Sequence, residues 1–254
     1  MDGDFIVETR GLTKEFKGFV AVSDVSLKVR RHTIHALIGP NGAGKTTCFN
    51  LLTKFLAPSR GHIFFNGRDI TQAKPAAIAR QGMVRSFQIS AVFSHLTALE
   101  NVRVALQRKQ GTSFKFWRPE RSLEPLDGRA MELLEAVGVA EYRDVPAGEL
   151  SYGRKRALEI ATTLALDPEM LLLDEPMAGM GTEDVNRTAA LIRRVAKDRT
   201  VLMVEHNLSV VADLSDTITV LKLGKVLAEG SYADISTNPE VVEAYMGTGG
   251  AGHG

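Results

Sequence analysis

The chain has 254 residues, enough for a large buried core in one compact α/β domain or in a core with a smaller appended lobe. Its 31 basic and 30 acidic residues give a formal charge of +1, so charge offers no general reason to expect nucleic acid or an anionic membrane as a partner. The single cysteine, Cys48, excludes an intramolecular disulfide and a cysteine-rich metal site. The N-terminus lacks the pattern of a secretory signal and no apolar run approaches a membrane span, so we expect a cytoplasmic protein.

The first third of the chain alternates short strands with turns. Over residues 5–29, β-branched runs separated by turns predict an antiparallel strand layer. Residues 34–39 form a short apolar run that ends in glycine, which predicts a buried strand. A helix over about residues 45–55 and a strand before the Asn66-Gly67 turn follow. Strand, glycine loop and helix therefore follow one another directly.

The middle of the chain changes to a helical pattern, with apolar residues near period 3.6 between about residues 90 and 158. We interpret residues 90–157 as an inserted helical lobe. Beyond it the sequence predicts a strand over 170–175, a helix over 182–197, a strand at 200–206, another helix and a hairpin. We assign 1–89 and 158–236 to the core, and 237–254 to a short helix with a flexible tail.

The most informative motif lies between the apolar strand and the first helix and consists of Gly39, Pro40, Asn41, Gly42, Ala43, Gly44, Lys45, Thr46 and Thr47. Glycines at this spacing let backbone N–H groups surround the phosphates of a nucleotide at a helix N-terminus. Lys45 would neutralise phosphate charge, and the Thr46 hydroxyl would bind Mg²⁺. The alternative, an ordinary strand-to-helix turn, is disfavoured by this position in the chain. We therefore predict ATP and Mg²⁺ as cofactors.

A second candidate site follows the apolar strand of residues 170–174, where carboxylates appear only at the end. Ligands bind at the carboxyl ends of strands in an open parallel sheet. Asp174 would hold Mg²⁺ through water, and Glu175 would polarise the water that attacks the terminal phosphate. A solvated acidic turn is the alternative when this strand is considered alone.

A third motif, Leu-Ser-Tyr-Gly-Arg at residues 150–154, opens a helix about twenty residues before the acidic strand. Ser151 is placed as the N-cap, and an exposed helix N-terminus with a serine and a glycine can bind an anion. A plain helix cap is the commoner use of serine. As the third motif in this series, however, it makes the chain resemble the nucleotide-binding subunits of ATP-binding cassette transporters, over roughly residues 5–247.

That resemblance implies a phosphate-loop NTPase core of RecA type, with a mostly parallel sheet, an N-terminal antiparallel β layer and an inserted helical lobe. It implies ATP hydrolysis. It also implies that Phe16, or alternatively Phe19, stacks on adenine, that Gln88 contacts Mg²⁺ and senses a transmembrane partner, and that His206 contacts the γ-phosphate.

In the family two such subunits close head to tail, so Ser151 and Gly153 of one would reach the ATP held by the other. Two departures from the family pattern stand out. Tyr152 and Arg154 replace a glycine and a glutamine of the usual motif, and residues 177–181 lack the usual aspartate or asparagine of the loop that links the two sites.

The details resemble one branch of the family most, the ATPase subunits of importers for branched-chain amino acids and related amides. These details are the tyrosine in the third motif, Ala-Gly-Met after Asp-Glu-Pro, Val-Arg-Ser-Phe-Gln before residue 89 and the ending Ala-Tyr-Met-Gly. The resemblance implies transmembrane permease subunits, a second ATPase subunit in a heterodimer or homodimer, an external solute-binding protein that is periplasmic or lipid-anchored, and a position on the inner face of the membrane. The alternatives are an ATPase of a lipopolysaccharide-export-type transporter and a soluble ATPase of the same superfamily.

Two basic segments need separate interpretation. Residues 107–127 mix five basic residues with Phe114, Phe116 and Trp117, a combination that also suits nucleic acid or a membrane surface. Acidic residues and prolines dilute the charge, so we favour a solvated loop and expect no nucleic-acid partner. We expect the basic run at residues 154–156 to lie on an exposed helix face.

Overall fold

The computed structural model describes residues 4–86, 92–109 and 125–246. Its first sheet is antiparallel, with strand order β2-β1-β5-β6 and with β3 paired to β1. These strands are β1 (Phe5–Phe16), β2 (Phe19–Val25), β3 (Lys28–Arg30), β5 (Arg60–Phe65) and β6 (Arg68–Asp69). The predicted antiparallel layer is therefore confirmed, and it extends beyond residue 29.

The second sheet has six strands in the order β11-β10-β4-β9-β8-β7, and only the β10–β11 pair is antiparallel. Its strands are β4 (Ile34–Ile38), β7 (Met83–Ser86), β8 (Met170–Asp174), β9 (Thr200–Val204), β10 (Thr217–Lys222) and β11 (Lys225–Gly230). Every residue of β4 and β9 is buried, as expected for parallel strands that are covered on both faces.

The described helices connect these strands. They are α1 (Lys45–Leu52), α2 (Pro75–Arg80), α3 (Ala98–Lys109), α4 (Asp127–Ala136), α5 (Tyr152–Leu164), α6 (Thr182–Val195), α7 (Leu208–Leu214), α8 (Tyr232–Ser236) and α9 (Pro239–Met246). No helix in the described ranges combines the length and apolar character needed to cross a membrane.

Two hydrophobic clusters lie on opposite faces of the parallel sheet. One joins α1, the antiparallel sheet and side chains such as Leu172 and Leu202, whereas the other joins α3 to α7 with Leu171 and Met203. Cys48 lies in the first cluster as a small apolar residue, and burial raises the pKa of its thiol to about 12. The loop of residues 39–47 at the junction of β4 and α1 is called the cradle here. It follows a strand of a sheet that is packed on both faces.

The structure adjusts several predicted boundaries. Helix α1 ends at Leu52 instead of residue 55, because Lys54 adopts a left-handed backbone with φ 63°. The predicted limit of the helical lobe at residue 157 falls inside α5, which packs on α3 and α4 and also on β7 and α6. The division into core and lobe therefore stays a prediction.

The prediction of an exposed basic face at residues 154–156 is wrong for Arg156. Its side chain is buried in α5, and its Nη1 donates to Oε2 of the equally buried Glu159 at 2.5 Å. Helix α5 packs against other elements on more than one side, so its inward positions include this i, i+3 pair. Most of the 107–127 segment, including Phe114, Phe116 and Trp117, lies outside the described residues.

Candidate nucleotide-binding site

The glycine-rich loop between β4 and α1 is enclosed by neighbouring backbone. A β-carbon at Gly39 would lie 2.2 Å from the carbonyl oxygen of Leu221, and one at Gly44 would lie 2.5 Å from that of Ala21. Both glycines have positive φ, 149° and 97°. Gly42 shares the left-handed backbone but meets nothing within 4 Å. The loop is thus held at both ends by glycines and stays open in its middle.

Lys45 begins α1 and turns its amine back over this loop. Its Nζ donates to the carbonyl oxygens of Gly39 at 2.6 Å and Pro40 at 3.1 Å. Burial lowers the pKa of Lys45, and the nearby charge of Glu175 opposes that shift. The ammonium group therefore lies at the cradle, close to the end of β8.

The rest of the loop is likewise held by neighbouring backbone at some positions and exposed at others. The Ala43 carbonyl accepts from the N–H of Gly224 at 3.0 Å, in the turn between β10 and β11. Asn41 and Thr46 are exposed, and Thr47 is half-buried. The Thr46 hydroxyl belongs to the first turn of α1, at the mouth of the cradle, where a ligand can reach it.

The two carboxylates at the end of β8 have different environments. Asp174 is half-buried, and its Oδ2 accepts from Nη2 of Arg85 at 2.5 Å. Glu175 is exposed and adopts a left-handed backbone with φ 44°, while its N–H donates to the Val204 carbonyl at 2.9 Å. A non-glycine residue in this conformation is uncommon, and such strain concentrates at functional sites. It turns the Glu175 side chain out of the sheet.

His206 lies beside Glu175 at the end of the neighbouring strand β9. Its Nδ1 is 4.0 Å from Oε1 of Glu175. The preceding Glu205 is fully buried and accepts N–H groups of Met177, His206 and Asn207 at 3.0, 3.0 and 3.3 Å. One carboxylate therefore ties the loop after Glu175 to the loop that carries His206.

Ser151 occupies the N-cap position of α5 without forming a capping hydrogen bond. Its backbone has the extended conformation of an N-cap, and its exposed side chain makes no capping bond. Gly153 is buried against α6, where an added β-carbon would lie 2.4 Å from Oδ1 of Asp184. A β-carbon at Gly179 would lie 3.8 Å from the Tyr152 hydroxyl, and Arg154 stacks 4.0 Å from the Tyr142 ring centroid. Arg154 thus has an aromatic partner within the chain, and Tyr152 lies near Gly179.

The structure brings Lys45, Glu175 and His206 together, with Asp174 at the same end of β8. Phe16 and Phe19 pair across the turn between β1 and β2, with Phe16 42% and Phe19 67% exposed. They connect to the loop through β2, because the Ala21 carbonyl lies against Gly44. Among the described residues, no hydrogen bond or ion pair joins Ser151 or Gly153 to the loop. Gln88 lies outside the described residues.

The residues present fit a nucleotide with Mg²⁺. The loop provides backbone N–H groups and an ammonium for phosphates, and Thr46 and Asp174 provide the oxygen ligands that Mg²⁺ prefers. Among the described residues no cluster of three or more His, Cys, Asp or Glu side chains could hold a metal without further ligands. Mg²⁺ is usually held by one or two carboxylates together with substrate phosphates, and Asp174 would be such a carboxylate here.

Sequence reasoning missed two residues of this site, Arg85 and Glu205. Each contacts a partner far away in the chain: Arg85 and Asp174 are 89 residues apart, and Glu205 and Met177 are 28 apart. A signal did exist for Glu205, because it directly follows a buried, mostly apolar strand and precedes the predicted His206.

A cradle after one strand of a parallel sheet, with a carboxylate pair at the end of another strand of that sheet one strand removed, defines a phosphate-loop ATPase. Comparisons with known proteins narrow this class. A family model described as ABC transporter matches residues 22–178, and one described as Branched-chain amino acid ATP-binding cassette transporter matches residues 225–251. The chain belongs to the ABC transporter family, which confirms the predicted ATP-hydrolysing transporter subunit.

Individual relatives align along almost the whole chain. The high-affinity branched-chain amino acid transport ATP-binding protein BraF of Pseudomonas aeruginosa is 40% identical over 252 residues, covering 95% of this chain and 98% of the relative. LivG of Escherichia coli K12, described in the same words, is 37% identical with the same coverage. The ADP conformation of MJ1267, an ATP-binding cassette of an ABC transporter, superimposes with a TM-score of 0.83 at 30% identity, covering 96% of this chain and 99% of that one. These matches confirm the fold class.

Proposed function

We propose that this chain hydrolyses ATP to drive an importer of branched-chain amino acids or related amides through separate membrane subunits. One observation carries the proposal: the relatives named for branched-chain amino acid transport align over 95% of the chain. The family model for the same transporters adds the C-terminal residues 225–251, beyond the general ABC region. The site described above supplies the chemistry for the ATPase part.

The loop from Gly39 to Thr47 holds the phosphates in this proposal. Lys45 exchanges the carbonyl oxygens of Gly39 and Pro40 for phosphate oxygens, which compensates its buried charge better than neutral carbonyls can. Mg²⁺, when bound, neutralises developing charge between the β- and γ-phosphates, and Thr46, Asp174 and Gln88 would hold it. Phe16 would stack on adenine, because its exposed ring lies at the end of the strand pair that touches the loop.

Glu175 accepts a proton from the attacking water, so that the water oxygen bonds to the γ-phosphorus while the bond to the ADP oxygen breaks. The exposed Glu175 side chain is free to approach a water at the cradle, whereas Asp174 is engaged by Arg85. His206, 4.0 Å from Glu175, would contact the γ-phosphate. Glu205 holds together the two loops that carry these side chains, because it accepts hydrogen bonds from backbone N–H groups of both loops.

The second half of the ATP site comes from another copy or a related ATPase subunit in this proposal. Ser151 is exposed and makes no capping bond, so its hydroxyl and the free N–H groups at the start of α5 remain available to the γ-phosphate held by the partner. Gly153 lets α5 approach α6 at this point. Transmembrane permease subunits, a solute-binding protein outside the membrane and a peripheral location on its inner face complete the proposed assembly.

Uptake tests the solute. In a strain that lacks the gene, radiolabelled leucine uptake should return with the wild-type chain and should not return with Glu175→Gln. Purification of the tagged chain in detergent should recover membrane subunits. Uptake that is independent of the chain would refute the amino-acid proposal, and recovery with ribosomes or DNA in place of membrane subunits would refute transport altogether.

A further inference from the structure

Arg85 bridges the two elements that would supply the Mg²⁺ ligands. Its Nη1 donates to Oδ1 of Asn50 on α1 at 2.6 Å, and its Nη2 donates to Oδ2 of Asp174 at the end of β8 at 2.5 Å. Asn50 lies one helical turn after Thr46, on the same side of α1. The guanidinium therefore links the helix that carries Thr46 to the strand end that carries Asp174.

The alternation of the strands explains this position. Met83 of β7 and Leu172 of β8 both point into the cluster that contains α1, so Arg85 and Asp174, two residues further along each strand, point to the same face. Arg85 pairs with Leu172 in the strand register, which leaves its side chain to extend toward the strand end.

Aromatic rings hold the guanidinium in place. Its central carbon lies 5.3 Å from the ring centroid of Phe49 and 5.7 Å from that of Phe55. The Arg85 and Asp174 side chains are only 16% and 12% exposed. A charge pair shielded from water interacts more strongly than one on the surface, and salt screens it less.

We propose that Arg85 is a resident counter-cation of Asp174 that lowers the affinity of this chain for Mg²⁺, so that the metal is retained only together with nucleotide phosphates. The inference rests on the proposed function, which places Mg²⁺ near Thr46 and Asp174. One oxygen of Asp174 is engaged by Arg85, and the guanidinium repels a second cation at the same carboxylate. Phosphate charge offsets that repulsion, which makes metal binding dependent on nucleotide.

A purely structural role is the competing explanation, because Arg85 also joins α1 to the sheet. The two differ in one measurable quantity, the affinity of the nucleotide-free chain for Mg²⁺. Loss of a structural link lowers stability and nucleotide affinity, and it leaves or lowers this Mg²⁺ affinity. Loss of a counter-cation raises it. The factor by which nucleotide strengthens Mg²⁺ binding then falls, and by linkage so does the equal factor by which Mg²⁺ strengthens nucleotide binding.

The experiment titrates Mg²⁺ into the nucleotide-free full chain by calorimetry, and it measures the affinity for a fluorescent ADP analogue in EDTA and at saturating Mg²⁺. For Arg85→Gln and Arg85→Met we expect the Mg²⁺ affinity of the nucleotide-free chain to rise about fivefold, because one positive charge is removed near the metal. The factor by which Mg²⁺ strengthens binding of the ADP analogue should fall in the same variants. Arg85→Lys keeps the charge and should stay within about twofold of wild type.

An unchanged or lower Mg²⁺ affinity in nucleotide-free Arg85→Gln and Arg85→Met would overturn the inference. If neither variant folds, Arg85→Lys decides, since a Mg²⁺ affinity altered more than about threefold would show that charge is not what Arg85 contributes. The proposed function fails differently: if Mg²⁺ did not strengthen binding of the ADP analogue to the wild-type chain, Mg²⁺ would not act at this site. A clear strengthening in the wild-type chain, with a Mg²⁺ affinity that Arg85 substitutions leave unchanged, would remove only the role of Arg85.

Discussion

The two halves of the predicted ATP site differ in how the chain holds them. The loop at residues 39–47 is satisfied from within: Gly39 and Gly44 lie against backbone carbonyls, and Lys45 donates to carbonyls of its own loop. The start of α5 lacks such support, because Ser151 is exposed and makes no capping bond. The fold of the single chain therefore holds the cradle in place. At the start of α5, in contrast, the Ser151 hydroxyl is exposed and can bind another molecule.

This difference separates stability from function along the chain. Substitutions in the cradle should unfold the protein or prevent nucleotide binding, because its geometry depends on close backbone packing. Substitutions at the helix start should leave the isolated chain intact and act only when a partner binds. The loss of stability should therefore decrease from substitutions in the cradle to substitutions at the start of α5.

The largest loss of stability is expected at Gly44. Gly44→Ala should lower the free energy of unfolding by about 3 kcal/mol, because the β-carbon would lie 2.5 Å from the Ala21 carbonyl at a φ of 97°. Nucleotide binding should disappear with it. Urea unfolding measures the loss, with Gly42→Ala as control, since Gly42 has φ 79° but open space and should cost about 1 kcal/mol. Equal losses would show that packing does not hold the cradle.

The next effect is expected at Glu205. Glu205→Gln should cost about 2 kcal/mol, because an amide cannot accept all the N–H groups that the carboxylate oxygens bind. Denaturant unfolding measures it. Glu183→Gln, at an exposed carboxylate in the first turn of α6, is the control and should stay within about 0.5 kcal/mol. An unchanged free energy of unfolding in Glu205→Gln would mean that this carboxylate does not join the two loops.

A smaller effect is expected where α5 meets α6. Gly153→Ala should cost about 1 kcal/mol, although alanine is the better helix former, because Asp184 must move away from the new β-carbon. A double-mutant cycle with Asp184→Ala measures the coupling, and in that background Gly153→Ala should become neutral or stabilising. Persistence of the loss in the double variant would locate the clash elsewhere.

The smallest effect is expected at Ser151. Ser151→Ala should change the free energy of unfolding by less than about 0.5 kcal/mol, because the serine makes no capping bond. Asn207→Ala is the matched control: the Asn207 side chain accepts from the N–H groups of Ser209 and Val210, so its loss should cost about 1 kcal/mol. Thermal unfolding compares the two. A Ser151→Ala variant as unstable as Asn207→Ala would place the serine in an ordinary structural role.

The sequence predicted best what depends on neighbouring residues. The cradle, the acidic end of β8 and the N-cap position of Ser151 are contiguous patterns with one local physical reason each. The parallel sheet was predictable because short, mostly apolar strands alternate with helices. Helix ends were less predictable, since the left-handed turn at Lys54 that ends α1 has no local signal such as glycine.

Contacts between distant parts of the chain were not predictable. The basic run at residues 154–156 suggested a solvated face, yet Arg156 is buried with Glu159 because of what surrounds α5 in three dimensions. Arg85 likewise has no pattern that points to Asp174, because strand order in the sheet determines the pairing. The roles assigned to the site residues all stay predictions, for Glu175 and His206 as much as for Phe16, Gln88, Ser151 and Gly153.

The most direct measurement compares ATP binding and single-turnover hydrolysis in Glu175→Gln and in the wild-type chain, alone and in complex with its membrane subunits. We expect Glu175→Gln to bind ATP with an affinity close to wild type, since the cradle is built elsewhere, and to hydrolyse it at least about a hundredfold more slowly, since it lacks the proton acceptor. Hydrolysis at the wild-type rate would contradict the assignment of Glu175, and loss of ATP binding would contradict the independence of the cradle.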